Sequence, residues 1–376
     1  MRRLLLLVAV LVVASPARGG SGCDAPLPHG VAGLAETIYV KGSCGTLALR
    51  PDGTIAAARP PSWAPAWAKH ALARTDAQTY IAHPRGHLVL FRHGRTLWRS
   101  RAAHGSDDVA LDGDAIAFTA YRRRHPNPDL WLARVGKEER LVARNEDLDG
   151  ATRAGGFFTQ RGRELRLRAA DGRLVGQLGR VSQAAYDRRT RTLVAITSSQ
   201  LLVRSDGAHS VVLADLRRLR APGPQWLELL SGGLIKIGSQ NQVLFLGSDG
   251  RRFASTVLSR KALIVSDFVT LPHLRGVAFV AQESGADRVL LLERGHRVAR
   301  VLYTARGEPR GCGYWANLSS AGDELLFWPS TGRGLAAIDV AGRSRARNLW
   351  PLVHGIPGFR RHGRIFRAAW SSAWNS

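Results

Sequence analysis

Eight times along the chain a short apolar stretch runs into a glycine-containing turn and out into a second stretch. The first four are 47–49 before Asp52-Gly53, 88–91 before His93-Gly94, 130–132 before Gly136, and 165–167 before Asp171-Gly172. The last four are 201–203 before Asp206-Gly207, 243–246 before Asp249-Gly250, 289–292 before Gly295, and 335–338 before Gly342. Successive turn glycines lie 41, 42, 36, 35, 43, 45 and 47 residues apart. A glycine turn between two apolar runs predicts a β-hairpin, because glycine takes positive φ without steric cost.

Each hairpin has two further strands ahead of it. Between 181 and 213 they are Ala184–Tyr186 and Leu193–Thr197, and between 226 and 258 they are Trp226–Leu230 and Leu234–Ile237. The run 163–168 alternates Arg and Glu with Leu at period two, which predicts a half-exposed strand. The best helical stretch, 64–73, is short and contains Pro65. Four strands recurring about every 40 residues is the period of a propeller blade. The expected fold is therefore all-β, a single β-propeller of seven to eight four-stranded blades. The first repeat lacks an innermost strand ahead of 36–40, and the C-terminal run 365–370 can supply it and close the ring. Closure leaves no exposed edge strand at the seam.

One of these units carries a resemblance. The run Trp315-Ala316-Asn317-Leu318-Ser319-Ser320-Ala321-Gly322-Asp323-Glu324-Leu325-Leu326-Phe327 resembles the aromatic–serine–turn–glycine–aliphatic signature of TolB-like, WD-repeat-like propellers. Tyr186-Asp187 through Leu193-Val194-Ala195 is a looser copy, and the pattern covers nearly all of 36–350. The Trp-Asp dipeptide of true WD repeats is absent. The resemblance implies the fold, and the exported location of many relatives. It implies no activity, because function is grafted onto this scaffold differently each time.

The N-terminus reads as an address. Arg2-Arg3 precede an unbroken apolar run from Leu4 to Ala14, followed by Ser15-Pro16-Ala17. That is the form of a secretory signal peptide, and eleven apolar residues are too few to span a bilayer. The expected organisation is a signal peptide and short leader over 1–22 and a propeller domain over 23–376. The expected location is secreted, periplasmic or cell-envelope. Cys23 follows Gly20-Ser21-Gly22, a weak match to a lipid-anchoring site, and a soluble N-terminal tail is the preferred reading. In an oxidising compartment a disulfide is expected among the three cysteines. Cys44–Cys312 would staple the first and last blades, and Cys23–Cys44 is the competing pairing.

Little catalytic chemistry is legible. Asn145-Glu146-Asp147-Leu148-Asp149-Gly150 matches the first half of a calcium loop, but the twelfth position is Gly156 instead of a bidentate Glu. An EF-hand is excluded, and a calcium site through Asn145, Asp147 and Asp149 is retained as an expectation beside the plainer reading of a solvated acidic turn. No other cofactor is expected. Ser106-Asp107-Asp108 occupies the preceding blade-joining loop, so Asp107, Asp108, Asp147 and Asp149 form the candidate ligand-binding set. His83 and His87 bracket a tight turn, with too few ligands for a metal. Ser205-Asp206-Gly207 and Ser248-Asp249-Gly250 fail the spacing of the sialidase turn motif, and no nucleophile elbow or Walker loop occurs.

The chain has 376 residues, with 54 Lys+Arg against 29 Asp+Glu and a formal net charge of +25. Removal of Arg2, Arg3 and Arg18 with a leader would leave 25 − 3 = +22. Mean hydropathy of −0.12 excludes a polytopic membrane protein. Runs such as 122–125, 217–220 and 360–364 suggest contact with anionic envelope polymers or lipid head groups. Nucleic acid is not expected for an exported protein, despite the charge. Together these features suggest a monomeric, exported, non-catalytic propeller that binds an envelope protein or anionic polymer on its loop face. The alternative is an exported propeller hydrolase or lyase acting on polysaccharide or peptide.

Overall fold

The computed structural model describes residues 32–42, 45–58, 71–74, 79–82, 87–101, 108–121, 127–221, 223, 226–306, 316–329, 334–342, 345–355 and 365–370. Within them the chain is almost entirely antiparallel β-sheet, with two three-residue 3-10 helices, Ser231–Gly233 and Pro272–Leu274, and a five-residue α-helix, Trp350–His354, none of which the sequence pattern predicted. Six sheets are separate, and a seventh has seven strands. In that one, the 14-residue strand Leu174–Asp187 pairs first with Glu164–Arg168 and then with Thr192–Thr197. It thereby ends one meander and opens the next without a loop. Counted this way, eight meanders follow one another among the described residues.

All eight hairpins expected from sequence are the third and fourth strands of these meanders, and all eight turn glycines have positive φ. Gly250 shows why one of them must be glycine. Its φ is +79°, and a Cβ there would lie 2.2 Å from the carbonyl oxygen of Leu213 in the preceding meander. Thus the turn is both conformationally special and a packing contact.

Second strands such as Ala115–Ala120 and Gly276–Glu283 are buried on both faces. Alternating side chains therefore feed two different cores. Phe157 packs with Ala110, Leu130 and Leu148 of the third and fourth meanders, while Phe158 packs with Leu165, Val181 and Leu193 toward the fifth. One such cluster joins each successive pair from the second meander to the eighth. Another joins the eighth to the first, where Leu326, Ala337 and Val353 meet Leu34, Ile38 and Trp370.

The first meander takes its opening strand from the C-terminus. Ile365–Trp370 pairs antiparallel with Ile38–Gly42, in the sheet that also holds Gly45–Leu49 and Ile55–Ala57. The N-terminal stretch ahead of Ile38 is strapped to the eighth meander as well. Ala35 donates its N–H to Glu324 Oε2 at 2.7 Å, and Arg347 bonds both Glu324 and the Ala32 carbonyl. The three cysteines and Asp107 lie outside the described residues.

Candidate acidic site on the opening strands

The third meander opens with Val109–Asp112 and the fourth with Asp147–Ala151. Asp108 stands immediately ahead of the first of these strands. The second is reached through Arg144, Asn145 and Glu146. Asn145 takes a left-handed φ of 54°, which Asn tolerates better than most residues. Its N–H donates to the buried Asp129 carboxylate at 3.0 Å, and the Glu146 N–H donates to the Pro128 carbonyl, also at 3.0 Å. These two bonds set the direction in which the chain enters the opening strand.

From that point successive carboxylates meet opposite environments. Glu146 is fully buried. Arg168 donates to it through Nε at 2.5 Å and Nη2 at 2.8 Å, Thr159 Oγ1 donates at 2.6 Å, and Arg166 Nη1 donates at 3.1 Å. Burial by itself raises this carboxyl. The hydrogen bonds from Arg168 and Thr159 and the charges of Arg168 and Arg166 outweigh it, and Glu146 titrates below its ordinary range. The half-exposed strand expected over 163–168 is Glu164–Arg168, and in it Arg168 is buried and Arg166 nearly so, because both cover Glu146. The Arg166 pair with Glu164 completes the network.

Asp149 has no such partner. Leu148 pairs with Thr159 and Gly150 with Phe158, so Asp149 is the extra residue of a β-bulge. Packing from the next meander maintains that bulge. A Cβ on Gly150 would lie 2.3 Å from the Tyr186 ring, and the Tyr186 hydroxyl donates to the Ala151 carbonyl at 2.6 Å. The Asp149 Oδ2 atom is buried and has no hydrogen-bond partner among the described residues. Burial, then the charge of Asp147, then that of Asp108, push its carboxyl up to about 7. Asp147 itself is exposed and accepts the Leu148 N–H at 2.9 Å.

The expected set is thus partly brought together. Asp108, Asp147 and Asp149 act on one another electrostatically, whereas Asn145 contributes through its backbone conformation and N–H. Among the described residues no three His, Cys, Asp or Glu side chains converge closely enough to hold a metal ion. His87 serves the fold, with Nδ1 3.1 Å from the Ser100 carbonyl oxygen.

Sequence reasoning missed three features of this region: the Glu146–Arg168 pair, the bulge, and the loop-holding role of Asp112. Asp112 accepts the Gly156 N–H at 2.8 Å and Arg191 Nη1 at 3.2 Å. The Leu-x-Leu spacing of 165–167 with arginines between was the one signal present, and it could not say what the arginines faced. Gly156 is a sensitive point, since its φ is +107° and a Cβ would fall 2.1 Å from the Arg168 carbonyl oxygen. Gly156→Ala is expected to lower unfolding stability by about 2–3 kcal/mol in urea melts, through overpacking and backbone strain. A loss below about 0.5 kcal/mol, the range of an ordinary surface change, would show that the turn relaxes freely.

A second charged cluster lies on the sixth meander. Lys236 is buried, with Nζ 2.5 Å from Glu228 Oε2 and 4.0 Å from the Phe268 ring centroid. Burial lowers its pKa against the opposing pull of Glu228. This pair is internally satisfied and leaves no free group. A cleft of about 620 Å³ at the junction of the first and eighth meanders is lined by Glu36, Asp323, Glu324, Asp339 and Arg347. It belongs to the strap described above.

No protein-family model and no curated protein matches the chain. Among solved structures it is similar to apo AztD from Citrobacter koseri, at 11% identity and a TM-score of 0.48, over 88% of this chain and 96% of that one. It is also similar to BamB from Moraxella catarrhalis, at 11% identity and 0.40 over 84% and 94%. Hsv2 from Kluyveromyces lactis gives 11% and 0.41 over 70% and 89%. These neighbours are β-propeller proteins, and no activity or ligand is carried over from them.

Proposed function

We propose that this chain is an exported β-propeller of eight blades, closed by its C-terminal strand, that acts as a non-catalytic scaffold for a cell-envelope partner. In this reading each meander is a blade, and residues 1–22 are a leader removed on export. The partner docks on the face where the opening strands begin. The arrangement of eight meanders with the last packed on the first supports the ring. The observation that carries the binding role is the rim of Asp108, Asp147 and Asp149. Among the described residues the charges acting on Asp149 are those of Asp147 and Asp108, both negative. A folding core has no use for a buried, unpartnered carboxylate oxygen such as Asp149 Oδ2, and such groups cluster at functional sites.

The test is retention of a cell-envelope protein extract on the immobilised chain at low and high salt, with wild type and the Asp147→Asn/Asp149→Asn double variant. Retention at high salt that the double variant loses is the expected result. Retention that vanishes with salt in both would mean that dispersed arginines alone were binding an anionic polymer or membrane surface, and would overturn the scaffold. The exposed run Arg217-Arg218-Leu219-Arg220 is the kind of surface that would do so.

One observation favours the hydrolase or lyase reading. A carboxyl poised near neutral pH beside a second carboxylate is the pairing used for general acid–base work. Turnover of an envelope polysaccharide or peptide that Asp149→Asn abolishes would establish it over the scaffold.

A further inference from the structure

We infer that the rim of Asp108, Asp147 and Asp149 takes an organic cation, an ammonium or guanidinium group seated on the Asp149 carboxylate. The inference rests on reading this rim as the binding face. Three observations carry it. First, Asp149 Oδ2 is a buried acceptor without a donor among the described residues, and a buried acceptor left unpaired costs stability unless a ligand supplies the hydrogen bond. Second, Arg166 and Arg168 of the fourth meander are committed to Glu146, so among the described residues neither serves Asp149. Third, the carboxyl is positioned rigidly. The bulge that presents it is held by the Tyr186 ring against Gly150 and by the Tyr186 hydroxyl on Ala151.

The donor set favours an organic cation over a metal ion. Calcium asks for six to eight oxygens at about 2.3–2.6 Å, whereas an ammonium needs only one to three acceptors at ordinary hydrogen-bond distance. Among the described residues no three acidic or imidazole side chains converge as a metal site requires.

Two consequences separate this site from nonspecific binding. The cation binds only the ionised carboxylate, so affinity falls about tenfold per pH unit below the Asp149 midpoint. The charged groups acting on Asp149 among the described residues are Asp147 on its own strand and Asp108 ahead of the third meander; the fifth meander contributes Tyr186, on which the charges of Arg191, Arg188 and Asp187 act. The salt response is the second consequence. The net charge of +25 repels a cation over long range, and salt screens that repulsion more than it screens a partly buried contact. Affinity for a basic probe is therefore expected to hold or rise with salt, opposite to arginine-driven binding of polyanions.

The experiment is calorimetric titration of the full chain with spermidine, with a short oligolysine peptide and with calcium alone, at about pH 5 and about pH 8. Expected are binding of the amine probes at the higher pH, about hundredfold weaker binding at the lower, and at least tenfold loss in Asp149→Asn with cooperative unfolding retained. Tighter binding of spermidine would identify a free polyamine as the source, and tighter binding of oligolysine a basic protein segment. Amine binding that is independent of pH or of Asp149 overturns the inference, as does preferential, Asp149-dependent binding of calcium. Envelope retention on the same variant separates the two claims. If retention at high salt needs Asp149 while amines do not bind, the inference fails and the scaffold stands. If amines bind and nothing is retained, the scaffold fails and the cation site stands.

Discussion

Replacing Glu146 with alanine is expected to cost about 3–5 kcal/mol of unfolding stability at neutral pH, the range for breaking a buried ion pair from one side. The loss is large because Arg168 is itself buried and among the described residues keeps the Gly172 carbonyl, at 2.8 Å, as its one remaining partner. Arg166 suffers less, since it retains Glu164 and is partly solvated. Glu146→Gln should cost less, because the amide oxygen still accepts from Arg168. The pH sign follows from a folded-state pKa below the unfolded value. The stabilisation is complete above the unfolded pKa of about 4.3 and is lost as pH falls through the folded one. Urea melts between neutral and acid pH check both points. A cost below about 1 kcal/mol for the alanine variant would mean that water replaces the carboxylate, as it does at exposed pairs.

Asp149→Asn is expected to act in the opposite direction, stabilising the protein at alkaline pH. The wild-type carboxyl titrates near 7 in the fold against 3.8 as its ordinary value. Between those values the native state holds a proton that the unfolded state has released, so stability falls as pH rises through the window and levels off above it. About three pKa units correspond to about 4 kcal/mol, an upper figure for the gain of the asparagine variant at about pH 8. At about pH 4 the two proteins should be nearly equal. The comparison of variant with wild type cancels the slopes of other groups, Glu146 among them. Parallel stability curves across the window would show that Asp149 is solvated and ionised, and the cation site would lose its physical basis.

The same reasoning links stability to binding. A group that costs stability when ionised recovers it when a ligand cation neutralises it, so an amine probe should raise the melting temperature above neutral pH and not below. Such cost at a site is what selection for function leaves behind, and it contrasts with Glu146, three residues away, which is fully buried and fully paired.

How much of this was legible beforehand differs by level. The eight hairpins could be read from the chain because each depends on two residues in sequence, an apolar strand end and a glycine that alone takes the required φ cheaply. The pairing of Ile365–Trp370 with the first repeat followed from counting strands, since a repeat one strand short exposes an edge. Asp108, Asp147 and Asp149 stand ahead of or within the opening strands of consecutive repeats, and the charges of the first two act on the third. The helix Trp350–His354, with Pro351 at its start, was too short for any periodicity to show.

What the sequence determined by itself, then, was the repeat and the strand order within it, both set by local backbone preferences and period. Only the tertiary structure decided which acid is paired and which is left alone. Glu146 draws Thr159, Arg166 and Arg168 from strands that follow it, while Tyr186, 35 residues beyond Ala151, holds the bulge that isolates Asp149. The physical reason is that ionisation depends on solvent exclusion and on charges a few ångströms away in space. Strands brought side by side supply both, and no pattern along one strand encodes them.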